Sequence, residues 1–242
     1  MLPHGGRLPE LSQEELTESM AREFHTSRKQ HQSMLQVGRH AAHALLLCVL
    51  TAACLLAIFH RPRTYPSVSL RDGDGEVLAR LLRHPGVADR DWRYIVVHHS
   101  ATKGGSAAAF ERYHIHVRKW TSLGYHFVIG NGTQTDDGEI EVGGRWHRQE
   151  IGSHAVGYNV HGIGICLVGN FDQQRPTQPQ LQALRALVLL LSRRHNIPPA
   201  HVIGHRECEG AQTACPGRNL NTRALRDWLS LRLRRPSHAA TE

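Results

Sequence analysis

Apolar positions fall into three zones along this chain: a polar stretch, one unbroken apolar run, and a series of short apolar clusters with changing period. Residues 1–40 are rich in Glu, Gln, Ser, His and Arg and show no sustained pattern beyond a helical tendency over 13–28, so they read as a mobile tail. The run 41–59 holds no charged residue, and His43 and Thr51 are its polar interruptions. A helix of that length, rising about 1.5 Å per residue, just crosses a hydrocarbon layer of roughly 30 Å. The run therefore predicts an N-terminal transmembrane anchor, with the h-region of a signal peptide or a buried core helix as shorter-range readings of the same residues. Arg22, Arg28, Lys29 and Arg39 precede it and Arg61, Arg63 and Arg71 follow, so flanking charge does not orient it. Met34 is an alternative start, and the segment Leu50-Thr51-Ala52-Ala53-Cys54 loosely resembles a lipobox, although apolar residues continue to Phe59. Residues 60–90, with two Pro-flanked stretches and a short amphipathic piece at 76–82, read as a tether.

From about residue 91 to 235 the pattern is that of one domain. Tyr94-Ile95-Val96-Val97 is a short β-branched run suited to a buried strand, ending in His98-His99-Ser100. Ser106 caps a helix whose spacing Ala107, Phe110, Tyr113, Val117 predicts the buried stripe. A strand over 125–129 is followed by Asn131-Gly132 and a hairpin partner over 139–142. Ile163-Gly164-Ile165-Cys166-Leu167-Val168 makes a further strand. Thr177 and Gln180 form a capping box for a long helix burying Leu181, Leu184, Leu187, Val188 and Leu191. Pro198 stops it, Val202-Ile203 is a strand, and Asn221 or Thr222 opens a final helix burying Leu225, Trp228 and Leu229. Strands interleaved with helices predict an α/β fold with a mixed central β-sheet flanked by helices.

Composition adds little to this and excludes some readings. A net charge of +8 suits an anionic polymer or surface without choosing among them. No aromatic or helical readout elements are interleaved with the charges, so nucleic acid is not the expected partner. Five cysteines, two of them in the apolar run, do not make a disulfide framework. That leaves metal binding or catalysis for the others.

The chemistry concentrates at strand ends. His98 follows Val97, His205 follows Gly204, and Cys215 comes ten residues after His205 in Thr213-Ala214-Cys215-Pro216-Gly217. Two imidazoles and a thiolate are a plausible zinc set, and three protein ligands leave the open fourth position of a catalytic site. With 19 histidines in the chain, spacing alone does not single these out.

Five segments occur in order: Val97-His98-His99-Ser100-Ala101-Thr102, Gly124-Tyr125-His126-Phe127, Gly152-Ser153-His154-Ala155, Ile163-Gly164-Ile165-Cys166-Leu167-Val168-Gly169, and Gly204-His205-Arg206-Glu207 through Cys215-Pro216-Gly217. Together they resemble the amidase type 2 family of N-acetylmuramoyl-L-alanine amidases, phage lysozyme-like amidases and peptidoglycan recognition proteins, over roughly residues 93–228. The resemblance implies a zinc amidase cutting the bond between N-acetylmuramic acid and the L-alanine of the stem peptide, with peptidoglycan or muropeptides as partners. It implies Zn2+ held by His98, His205 and Cys215, with His99 as the neighbour that a one-residue shift would exchange for His98. Tyr125 matches a tyrosine near the metal that orients water or relays a proton, Thr213 is placed to donate to a developing oxyanion, and His154 is placed to bind substrate or shuttle a proton. Some branches carry lysine at the Thr213 position and glutamate at the Cys166 position; neither is present here. A non-catalytic recognition module of the same fold is the alternative, and a monomer is expected. The substrate's location predicts a membrane-anchored domain facing the periplasm or cell exterior.

Overall fold

The computed structural model describes residues 64–70 and 75–234, together with a few positions between 43 and 51. The polar tail 1–40 lies outside the described residues, as does most of the apolar run 41–59 with the anchor it predicts. Among the described residues no helix is long and apolar enough to cross a membrane.

The domain is built on one six-stranded sheet, with strands β1 (Ser67–Val68), β2 (Tyr94–His99), β3 (Phe127–Ile129), β4 (Ile140–Val142), β5 (Gly162–Leu167) and β6 (Val202–Gly204) in the order β1-β4-β3-β5-β2-β6. β2 pairs in parallel with β5 and β6, and β3 in parallel with β5, whereas β1, β4 and β3 pair antiparallel. β5 is buried along its whole length and β2 from Ile95 onward, and so their middles read as continuous apolar runs. The helices are α1 (Gly75–Leu81), α2 (Ala107–His116), α3 (Gly144–His147), α4 (Gln178–His195) and α5 (Thr222–Leu233).

Because side chains alternate along a strand, the sheet separates two environments. One face carries Ile95, Val97, Phe127, Ile129, Ile163, Ile165 and Leu167, packed against Leu184, Leu187, Val188 and Leu191 of α4 and Leu225 and Leu229 of α5. The capping box at Thr177 and Gln180 forms as the residues predict, and Asn196 ends α4 in the left-handed conformation. The other face carries Val128 and Cys166 under Ala107 and Leu123, with Phe110 and Tyr125 alongside. That second face holds the polar chemistry.

Two expectations are corrected here. The stretch 60–90 is more than a tether: Ser67–Val68 pairs with β4, and Leu78 and Leu82 are buried in the main core. Its sequence is Pro-flanked and short in apolar residues, but Leu78 and Leu82 find neighbours that only the folded domain supplies, whereas Val77 and Val87 stay exposed. Helix α2 also sits rotated from its apolar stripe: Tyr113 and Val117 are exposed, whereas Ala107, Glu111 and His114 face inward. The helix end explains part of this, since the Glu141 carboxylate accepts from the Ala107 N–H at 2.8 Å and ties α2 to β4. His114 is held by a hydrogen bond from the Gly124 N–H to its Nδ1 at 3.1 Å. Polar anchors outweigh the apolar stripe.

Two outcomes follow. Leu78→Ala should cost about 2–5 kcal/mol of unfolding free energy, as buried leucine truncations do, whereas a residue in a mere tether would change nothing in a denaturant titration. For Glu141, burial pushes the carboxyl up to about 7, above its unfolded value. Folding therefore favours the neutral form, and the stability that form contributes is lost as pH rises towards and through the folded pKa. Glu141→Gln should then raise the melting temperature at pH 8 and do little at pH 5. An equal effect at both would remove the titration from the account.

Candidate metal centre

His98, His205 and Cys215 present ligand atoms that all lie within 4.8 Å of one another. Parallel pairing of β2 with β6 brings the first two together: Val97 is registered with Gly204, so the histidine after each leaves neighbouring strand ends on the same side. Their ring centroids are 4.6 Å apart. Cys215 Sγ sits 3.7 Å from His98 Nδ1, close to the ~3.5 Å separation of a thiolate and an imidazole nitrogen on one tetrahedral zinc. The donor set and the spacing both fit that ion.

The loop carrying Cys215 is fixed from several directions. The Arg206 N–H donates to the Cys215 carbonyl at 2.7 Å, and the His99 N–H donates to Sγ at 3.4 Å. Thr213 Oγ1 accepts from the Cys215 N–H at 3.1 Å, so this exposed threonine shapes the turn that presents the thiol. Glu207, two residues after His205, accepts from the Gly204 N–H, from Thr222 Oγ1 at 2.8 Å and from both ends of the Arg226 guanidinium. Burial alone would raise that carboxyl, but Arg226, the Gly204 N–H and Thr222 outweigh it and leave it lowered and ionised. The pattern His-Arg-Glu before the Cys loop was its only sequence signal.

Which histidine of the pair enters the site is decided by the pleat. His99 points to the opposite face, where its Nδ1 accepts from the Phe171 N–H at 3.1 Å and its ring lies 5.9 Å from that of Phe171. His98 is buried, and its burial together with neighbouring His154 and His205 holds its pKa well below the usual imidazole range. It is neutral, as a metal ligand must be. Burial pushes the Cys215 thiol up to about 12, so metal loading has to displace its proton.

Tyr125 packs its ring 5.3 Å from that of His98. Burial, reinforced by Cys166 and Cys215, raises its phenol well above 10, so its hydroxyl stays protonated and acts as a donor. Cys166 is fully buried on β5 in register with His98, in keeping with core packing beside that hydroxyl.

His154 lies inside the protein. It is buried, its Nδ1 lies 3.1 Å from His98 Nε2, and its Nε2 lies 3.1 Å from the Gly162 carbonyl. Both ring nitrogens are engaged inside the protein. His126 is buried too: its Nδ1 accepts from the Gly164 N–H at 2.9 Å and its Nε2 reaches the Glu150 carbonyl at 3.0 Å. Arg145 is buried and donates to the Leu123 and Ile151 carbonyls, both at 2.6 Å. Arg112, Arg118 and Lys119 do remain exposed. Cys208 is a buried member of a small cluster with Val96 and Ala155.

Comparison with known proteins places this geometry. The sequence profile described as N-acetylmuramoyl-L-alanine amidase matches residues 88–218. N-acetylmuramoyl-L-alanine amidase of Mus musculus is 31% identical over 157 residues, covering 60% of this chain and 28% of its own length. A peptidoglycan-recognition protein of Drosophila simulans is 33% identical over 148 residues, covering 56% of this chain and 74% of its own. The solved N-acetylmuramoyl-L-alanine amidase LysC from Clostridium intestinale URNW superimposes with a TM-score of 0.52 at 30% identity, covering 58% of this chain and 87% of that one. The chain thus spans little more than a quarter of the mouse relative and most of the insect and clostridial ones.

The pleat assignment has a direct check. Cys215→Ser should lower zinc affinity strongly, whereas His99→Gln should leave stoichiometric zinc in place by elemental analysis. Loss of zinc in the His99 variant alone would reverse the roles of the two histidines.

Proposed function

This chain belongs to the N-acetylmuramoyl-L-alanine amidase family, and from that premise we propose that it is a zinc-dependent amidase. Its reaction is hydrolysis of the amide between N-acetylmuramic acid and the L-alanine of the stem peptide. The observation that carries this reading is the convergence of His98, His205 and Cys215, a complete set of three ligand atoms within 4.8 Å. Three protein ligands leave a tetrahedral ion one position for chemistry, in contrast to the closed four-ligand sets of structural zinc. Bound there, zinc supplies Lewis acidity, activating water as a nucleophile and polarising the scissile carbonyl.

The chain's own residues do the rest. His98 and His205 are held neutral by burial and so keep a lone pair for the ion. Tyr125, protonated beside His98, donates a hydrogen bond and orients the attacking group or the carbonyl; it is too weak an acid to serve as a base at neutral pH. Thr213 accepts from the Cys215 N–H, which leaves its hydroxyl hydrogen free to donate to the oxygen that gains charge in the transition state. Exposed Arg112, Arg118 and Lys119 offer charge to muropeptide carboxylates. With an extracytoplasmic substrate, the reading carries with it a domain facing the periplasm or cell exterior, held at the membrane through residues 41–59 and active as a monomer.

The test is digestion of peptidoglycan by the purified protein, scoring new L-alanine N-termini with and without chelator, alongside zinc content. Bound zinc with chelator-sensitive release supports the amidase. Stoichiometric zinc without release would convert the reading to a recognition module of the same fold, as the names of its insect relatives suggest, and absence of zinc would overturn the site. Within an active enzyme, Thr213→Ala should retain zinc but lower kcat about 10- to 1000-fold, the range for losing one oxyanion donor. Thr213→Ser should recover most of it, and an unchanged Thr213→Ala rate would remove the residue from the mechanism.

A further inference from the structure

His154 occupies a slot that excludes any other use of its ring. A Cβ added at Gly152 or at Gly164 would collide with its Cδ2, so the imidazole lies flat between two backbones that only glycine leaves room for. Its main chain is also pinned: Asn159 Oδ1 accepts from the His154 N–H at 2.7 Å and from the Ala155 N–H at 2.9 Å. The ring cannot swing towards the open side of the site without vacating that slot.

Its two nitrogens then define a chain of tautomers. The partner of His154 Nε2, at 3.1 Å, is the Gly162 carbonyl, which can only accept, so Nε2 carries the hydrogen. A neutral imidazole with its proton on Nε2 has an acceptor at Nδ1, and the atom facing that acceptor at 3.1 Å is His98 Nε2. His98 Nε2 must therefore be the protonated nitrogen of its ring. The lone pair of His98 falls on Nδ1, the nitrogen 3.7 Å from Cys215 Sγ. A backbone carbonyl of β5 thus dictates, through one intervening ring, which nitrogen of His98 is free to bind a metal.

We propose that His154 is a positioning residue for the metal centre, holding His98 in orientation and tautomer as an Nδ1 donor, and that it does not contact substrate. This rests on the zinc reading above and adds to it a residue outside the ligand set. Removal of such an outer partner typically lowers metal affinity about 10- to 100-fold, and here the two hydrogen bonds can be removed separately. His154→Asn places an amide oxygen near the Nδ1 position and keeps an acceptor for His98. His154→Gln places its amide near the Nε2 position, keeping the bond to Gly162 but not the acceptor. His154→Leu keeps neither.

The experiment is zinc affinity by competition with a chromophoric chelator, on the purified protein and these three variants, with the visible spectrum of the Co2+-loaded forms and the melting temperature of each metal-free form. Expected is a loss of about 10- to 100-fold in affinity for Leu and Gln, with shifted cobalt bands, and recovery of most of the affinity and of the parental bands in Asn. Equal affinity in all four proteins would overturn the proposal. So would an equal loss in Asn and Gln, or melting temperatures lowered in all three variants with zinc affinity unchanged, since these mark a packing role alone. A parent protein that binds no zinc would overturn the metal-site reading itself, a result distinct from zinc that binds normally but ignores position 154.

Discussion

Parallel pairing of β2 with β5 on one side and β6 on the other is the constraint on which the rest of the site depends. It sets the ends of two strands side by side, so that His98 and His205 emerge together, and it sets Cys166 beside His98 on the row beneath Tyr125. It also brings the Gly162 carbonyl to His154 Nε2, whose ring in turn meets His98 through Nδ1. A slip of one residue in β2 would send His98 into the apolar core and bring His99 to the metal side. The core of Ile95, Val97, Ile163 and Ile165 forbids that slip, because it would move the β2 side chains among them towards the polar face.

The apolar face therefore specifies the polar one. Helices α4 and α5 bury their stripes against the sheet and lock its register, and α5 additionally supplies Thr222 and Arg226 to the Glu207 carboxylate beside His205. The candidate donors meet where the strand ends adjoin the loop of Cys215, whose turn is shaped by Thr213 and closed by the Arg206 and His99 N–H groups.

The polar residues of the second face differ in how visible they are beforehand. His98, His205 and Cys215 stand in segments whose order is specific, and the structure brings all three together. Glu207, Asn159 and His126 were not legible as site residues, because each acts through backbone or second-partner hydrogen bonds that have no period or spacing. His154 was legible as part of the site, but a Gly-Ser-His-Ala segment does not say whether the ring faces solvent or a slot between Gly152 and Gly164.

By itself the sequence determined the alternation of strands and helices and the helix caps and stops, and it named His98, His205 and Cys215 as candidate donors through the order of their segments, because these depend on local periodicity, on backbone preferences of single residues and on chemically distinctive side chains. Only the tertiary structure decided which of His98 and His99 faces Cys215, that Leu78 and Leu82 join the core, that α2 buries Glu111 and His114 in place of Tyr113 and Val117, and that Arg145 clamps loops. Each of these is settled by partners distant in sequence, such as Phe171 for His99, Glu141 for Ala107 and Leu123 for Arg145. A pattern read along one chain carries the preferences of its residues, but the hydrogen bonds that override them exist only once the sheet has brought their partners within reach.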